Sequence, residues 1–261
     1  MQRVACLEKI VVITILRRFV GIPLALEQWF CPQVNVFLAI LPVKYIQCTD
    51  SRDHILFSKT EFFTLLLDLN IAVDEILSKL PKNAIYEIRR AEREGVTYES
   101  SNDWRSFHLF YNNFAKAKAL QPLSYSSLAD RRDNLMLFVS WDAMKDPIAM
   151  HVYVVDNQSR RARLLYSASR LHSTTEKSLR AFIGRANRYL HWQEVLYFKN
   201  SGFRTIDFGG YALDARQQQL DGVNGFKASF GGQIVCEPMF VSWPLFAVQL
   251  IVSRIRRGTL R

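Results

Sequence analysis

Three stretches decide how this chain folds: Asn187-Arg188-Tyr189-Leu190-His191-Trp192, Asp207-Phe208-Gly209-Gly210 and Phe226-Lys227-Ala228-Ser229-Phe230-Gly231-Gly232. They read as a helix, a short strand closing on a glycine pair, and a Phe-Lys segment closing on a second glycine pair. Paired glycines at such ends mark backbone that turns sharply or lies close against something else. With a lysine between the two pairs, the pattern predicts a pocket.

Working outward, a predicted order of elements emerges. Upstream lie three strands, Asn134–Trp141, Ile148–Val155 and Ala162–Ser167, whose connections Lys145-Asp146-Pro147 and Asp156-Asn157-Gln158-Ser159 carry turn residues. They should form an antiparallel meander. A polar loop, Ser169–Lys177, leads into a long helix with a predicted core face of Phe182, Ala186, Tyr189, Trp192 and Leu196, stopped at Asn200-Ser201-Gly202. A strand Arg204–Phe208, a helical stretch from Ala215 to Lys227 and a strand Gln233–Val241 complete this end. Before the meander, Asp103–Lys118 shows three-and-four aromatic spacing and Ser124–Arg132 reads as a short helix. Val73–Leu80 is helical in period, and Pro81 opens a charged helix, Lys82–Glu94, with Gly95 as its C-cap. Val36–Ile46 and His54–Leu67 are strand-like runs, the first broken by Pro42. A meander followed by a crossover helix is neither doubly wound nor a sandwich, so the fold class is α+β.

The 261 residues carry 34 Lys and Arg against 24 Asp and Glu, a net charge of +10, with arginine pairs scattered along the chain. Such a surface suits anionic partners such as RNA, phosphorylated substrates or an acidic membrane, and equally suits solvated arginines. No dense basic block points to duplex DNA. The cysteines, Cys6, Cys31, Cys48 and Cys236, form no metal spacing and no disulfide framework, so no metal and a reduced, cytoplasmic setting are expected. The apolar runs Ile10–Leu16 and Met239–Val252 are too short to span a bilayer, and the first lacks a signal-peptide cleavage site. The second is followed by Arg254, Arg256, Arg257 and Arg261. It would either lie on the inner face of an anionic membrane or form a last strand and helix packed on the core.

The segment Tyr86–Gly95, the long helix, the D-x-G-G at Asp207–Gly210 and the F-K-x-x-F-G-G at Phe226–Gly232 resemble the FemAB-like (also BioF2-like) branch of the GNAT superfamily of acyltransferases. The resemblance covers roughly residues 84–236. It implies a mixed, largely antiparallel sheet flanked by helices. By that likeness residues 1–95 form a partial N-terminal GNAT-like subdomain, 96–241 the acyltransferase domain and 242–261 a basic apolar tail. It also implies amide-forming transfer of an acyl or aminoacyl group to an amino group of a cell-envelope or polysaccharide precursor. No resident cofactor is expected. The donor would be acyl-coenzyme A, a carrier-protein thioester or aminoacyl-tRNA. In this family the loop before the long helix cradles the pyrophosphate of coenzyme A in the pattern R/Q-x-x-G-x-G/A. Here Gly184-Arg185-Ala186 supplies only its end, since position 181 is alanine and Arg180 stands one residue early. A catalytically silent RNA- or membrane-binding module on the same scaffold is the alternative.

Direct acyl transfer needs a neutral amine, positioning and donors for the oxyanion. The resemblance implies that Lys227 binds the donor or stabilises that oxyanion; as a residue alone it could be a solvated helix lysine. Asp207 is able to accept a proton from the amine, or to bond its own backbone as a turn aspartate. His151 alternates with Tyr153 on a central strand and reads as a base or as a hydrogen-bonded core histidine. Tyr166 and Ser167 end the third strand, where the family binds the acyl carbonyl through backbone N–H groups. Arg89 and Arg90 could grip a phosphate, or belong to a charged face shared with Glu87, Glu92 and Glu94. Gly209, Gly210, Phe226, Gly231 and Gly232 would admit the substrate or simply turn the chain, and His191-Trp192 reads as packing.

Overall fold

The computed structural model describes residues 13–19, 22–213 and 221–258. Its described residues divide into two units: those up to Glu61 together with those from Glu237 onward, and Phe62–Cys236. The boundary expected at residue 95 falls inside the second unit, because the charged helix packs on the long helix of the same unit.

The first unit holds a five-stranded sheet in the order β1-β2-β3-β12-β4, made of β1 (Ile13–Phe19), β2 (Ile22–Trp29), β3 (Val43–Ile46), β4 (Phe57–Thr60) and β12 (Met239–Ser242). In this sheet β2 and β3 pair in parallel, and the other pairs among the described residues are antiparallel. Val36–Ile40, expected as the start of a strand, forms a 3-10 helix that Asn35 caps by accepting a hydrogen bond from the Phe37 N–H. Tyr45, Val43, Phe57 and Phe240 fill the core of this unit. A helix, α7 (Trp243–Gly258), follows β12 and seats Leu245 in the interior.

The second unit carries β5 (Phe63–Asp68), α1 (Val73–Lys79), α2 (Lys82–Arg93), β6 (Thr97–Ser101), α3 (Trp104–Ala117), α4 (Tyr125–Ala129), β7 (Leu135–Trp141), β8 (Pro147–Asp156), β9 (Arg161–Ser169), α5 (Lys177–Asn200), β10 (Thr205–Gly210), α6 (Asp221–Ala228) and β11 (Gln233–Cys236). Its seven strands run β11-β5-β10-β9-β8-β7-β6. β7, β8 and β9 are the expected meander, and the crossover through α5 makes β9 and β10 the parallel pair. The predicted helix Ala215–Lys227 lies partly outside the described residues; its described part is α6.

Several differences have plain causes. β6 (Thr-Tyr-Glu-Ser-Ser) is an edge strand mostly open to water, so it lacks the apolar alternation by which strands are read. The expected strand Gln233–Val241 is two strands in different sheets, parted at Pro238, whose missing N–H cannot extend a ladder. On α5 the buried positions include Ile183, Leu190, Val195 and Phe198, whereas Phe182 and Leu196 are only half-buried. Gly95 ends α2 as expected, at φ +81° with its N–H donating to Glu92 O (3.0 Å).

The ladder between β9 and β10 covers only Thr205–Asp207 against Arg161–Arg163. Gly209 then turns β10 at φ +73°, where a Cβ would stand 3.0 Å from Leu164 O. Beyond that point β9 borders an opening rather than a neighbouring strand, and the site lies there.

Candidate active site

A cleft of about 490 Å³ opens between the end of β9, the N-terminal half of α5 and α6. Leu164, Ser167 and Ser169 line it from β9, while Gly184, Asn187, Arg188 and His191 come from α5 and Phe226 and Lys227 from α6. The helical repeat explains the α5 set: positions 184, 187, 188 and 191 share one face.

Lys227 is half-buried, and its Nζ donates to Gly210 O at 2.6 Å. Burial lowers its pKa to about 8, with Arg163 adding to the effect and Asp207 opposing it. The first glycine corner and the ammonium therefore meet. The second corner does not join them. Gly232 sits at φ +107° beside β5, where a Cβ would come 2.6 Å from Leu66 O, and Gly231 packs toward Lys79. Gly232 serves close backbone approach and Gly231, at φ +80°, a left-handed turn; both stand just before β11 and neither lines the cleft.

Asp207 is fully buried and does not line the cleft. Its Oδ1 accepts from the Thr64 hydroxyl and from the Gly209 N–H (2.7 Å), and its Oδ2 accepts from Arg161. Burial works to raise its pKa, but Arg161, Arg163 and the Thr64 hydroxyl together hold it below the usual carboxylate value. The geometry is that of a buried carboxylate that closes its own turn and holds Arg161.

His151 is also fully buried, with Nδ1 2.7 Å from Glu194 Oε1 and Nε2 3.0 Å from Asn187 Oδ1. Its ring stacks on His191 at 4.1 Å between centroids. Glu194 Oε2 accepts from the Tyr153 hydroxyl (2.6 Å) and lies 3.1 Å from His191 Nδ1. Burial would raise Glu194, but the two histidines push it down to about 2. Burial and the neighbouring His151 lower His191 to about 4, so its imidazole is neutral near pH 7. His191 lines the cleft together with Lys227. His151, His191 and Glu194 have ligating atoms within 4.8 Å of one another, a spacing that could hold a metal ion. Both Glu194 oxygens, however, are already engaged by His151, His191 and Tyr153.

The other expected residues are placed as follows. Gly184 and Arg185 border the cleft, but with Ala186 they lie inside α5, which begins at Lys177, so their amides belong to the helix and not to a phosphate cradle. Arg185 makes a bidentate pair with Glu94 (2.8–3.0 Å). Ser167 borders the cleft, whereas Tyr166 packs on Phe107 and Tyr111 of α3. Arg89 and Arg90 are exposed on α2 outside the cleft, with Arg90 paired to Glu94 at 2.9 Å. Phe226 lines the cleft under the Arg188 guanidinium, 4.6 Å from the ring centre.

Sequence reading missed Asn187, His191 and Glu194 as a polar set. The signal is their spacing: three polar residues at i, i+4 and i+7 on a buried helix face are costly unless they bond one another.

Among solved structures, this chain is similar to FemX (13% identity, TM-score 0.56, 72% of this chain and 63% of FemX). It is also similar to the C-terminal domain of a protein described as a lysylphosphatidylglycerol synthetase from Agrobacterium fabrum (12%, 0.57, 89% and 82%). L-PGS from Bacillus licheniformis is a further match (11%, 0.54, 89% and 83%). The chain thus spans less than two thirds of FemX. No protein-family model matches the sequence, and no curated protein matches it. At these identities the likeness is one of fold, and that fold is the FemAB-like variant of the GNAT architecture, α+β with a mixed sheet flanked by helices.

Proposed function

We propose that the chain is an acyl- or aminoacyltransferase that passes an acyl group by direct attack onto an amine, in the setting of a cell-envelope or polysaccharide precursor. The observation that carries this reading is the pairing, across one cleft, of a partly desolvated Lys227 with a neutral, carboxylate-oriented His191. A neutral amine adds to the acyl carbonyl, and the Lys227 ammonium stabilises the oxyanion that forms. The nitrogen of that adduct is more acidic than a free ammonium, and the neutral His191 imidazole takes its proton. The adduct then expels the thiolate or alkoxide of the donor, which receives the proton. The locked Arg185 and the helical Gly184–Ala186 amides speak against a family-type coenzyme-A cradle, and the net charge of +10 suits an aminoacyl-tRNA donor.

The test is to offer purified protein acyl-coenzyme A and aminoacyl-tRNA with amino sugars or other amines and to follow amide formation. Transfer from either donor supports the reading, and absence of transfer from both, together with no thermal stabilisation by either, removes it. A pH profile adds a second check. Expressed per neutral acceptor amine, the rate should stay level below neutrality until the pH approaches about 4, where His191 protonates, and should fall above about 8 as Lys227 loses its charge. An acid limb near neutral pH that survives this allowance for acceptor ionisation would rule out His191 as the proton acceptor.

A further inference from the structure

The first unit carries an apolar face that its own core does not use. Phe37 and Ile40 on the 3-10 helix are 85% and 81% exposed, and Ile55, in the loop before β4, is 91% exposed. Trp243, Phe246 and Leu250 on α7 are exposed at helical spacing and form a stripe, while Leu245 on the other side is buried. These segments adjoin one another: α7 packs on the 3-10 helix and on β4, and the Trp243 Nε1–H donates to Ile55 O at 2.9 Å. A concentration of large exposed side chains of this kind marks an interaction surface.

The charge pattern identifies the partner. α7 contains no acidic residue, and its sequence runs from the apolar stripe into Arg254, Arg256 and Arg257. Among the described residues no helix is long and apolar enough to cross a membrane. An exposed apolar stripe on a helix that cannot span, whose sequence continues into arginines, matches the chemistry of an anionic lipid surface. We propose that this face of the first unit, made of the 3-10 helix, the Ile55 loop and α7, docks the protein onto an anionic membrane. The proposal does not rest on the acyltransferase reading, since it concerns binding and not turnover.

The experiment is co-sedimentation of the full chain with phosphatidylglycerol-containing and pure phosphatidylcholine vesicles, at low and high salt. Binding should require the anionic lipid, weaken with salt and blue-shift tryptophan emission. The double variant Phe246→Glu/Leu250→Glu should bind on the order of tenfold or more weakly, with an unchanged circular-dichroism spectrum and melting temperature. Phe37→Asp, on a separate element, should weaken binding in the same direction. The proposal is overturned if the wild type ignores anionic vesicles or if both variants bind as the wild type does. It is equally overturned if the wild type is a dimer in solution that these substitutions split, because the face then belongs to a second copy of the chain.

Discussion

Lys227→Ala is expected to slow acyl transfer by on the order of a hundred- to a thousandfold, the cost of removing one preorganised donor from an oxyanion site. The side chain is half-buried, and its ammonium donates to the Gly210 carbonyl, so the melting temperature should barely change. Loss of rate without loss of fold separates catalysis from packing. Lys227→Arg sharpens the result. Arginine keeps its charge at every relevant pH but cannot occupy the same point with a compact ammonium. That variant should recover little rate while abolishing the fall in activity above about pH 8. Full activity of Lys227→Ala would remove the lysine from the mechanism.

Asp207→Asn should produce the largest change in stability. The carboxylate is fully buried beside Arg161 and Arg163, and burial pushes the Arg163 pKa down. Removing the anion leaves these guanidiniums to repel one another in a poorly solvated place, a loss of about 3–5 kcal/mol. For a chain of this size the melting midpoint would drop by on the order of 10 °C. The pH dependence has a definite sign. The Asp207 pKa is lower in the folded chain than in the unfolded one, so its contribution is present above the unfolded value and is lost as the pH falls through the folded value. The wild type should therefore lose stability in acid, and the asparagine variant should show a flatter curve there. Thermal unfolding at neutral and acidic pH measures both, and a variant that melts as the wild type does would show that the carboxylate is not the anion these arginines need.

The outcome for Asp207 illustrates how far the chain could be read in one dimension. Asp-x-Gly-Gly at a strand end announces a turn, and the turn is there, with the aspartate bonding the Gly209 amide. Whether that carboxylate faces a cleft or two arginines depends on β9, whose Arg161 and Arg163 stand some forty residues earlier and arrive through the parallel ladder. The Phe-Lys pair behaves differently, because α6 places Phe226 and Lys227 on the cleft wall. His191 shows the limit from the other side. As a letter beside Trp192 it looks like packing; its role comes from Glu194 one turn on and from His151 on β8, joined only when α5 lies across the sheet.

The sequence by itself determined what local physics controls. The meander with its turn residues, the long amphipathic α5, the charged α2 with its glycine stop and the glycine corner after β10 all follow from periodicity and backbone preference over a few residues. Tertiary structure alone decided the rest: the return of Met239–Ser242 to a second sheet beside β3, the burial of Asp207, the separation of Gly231-Gly232 from the cleft and the selection of His191 as its neutral imidazole. Each of these turns on desolvation or on a partner distant in sequence, and neither quantity exists until the strands and helices have packed.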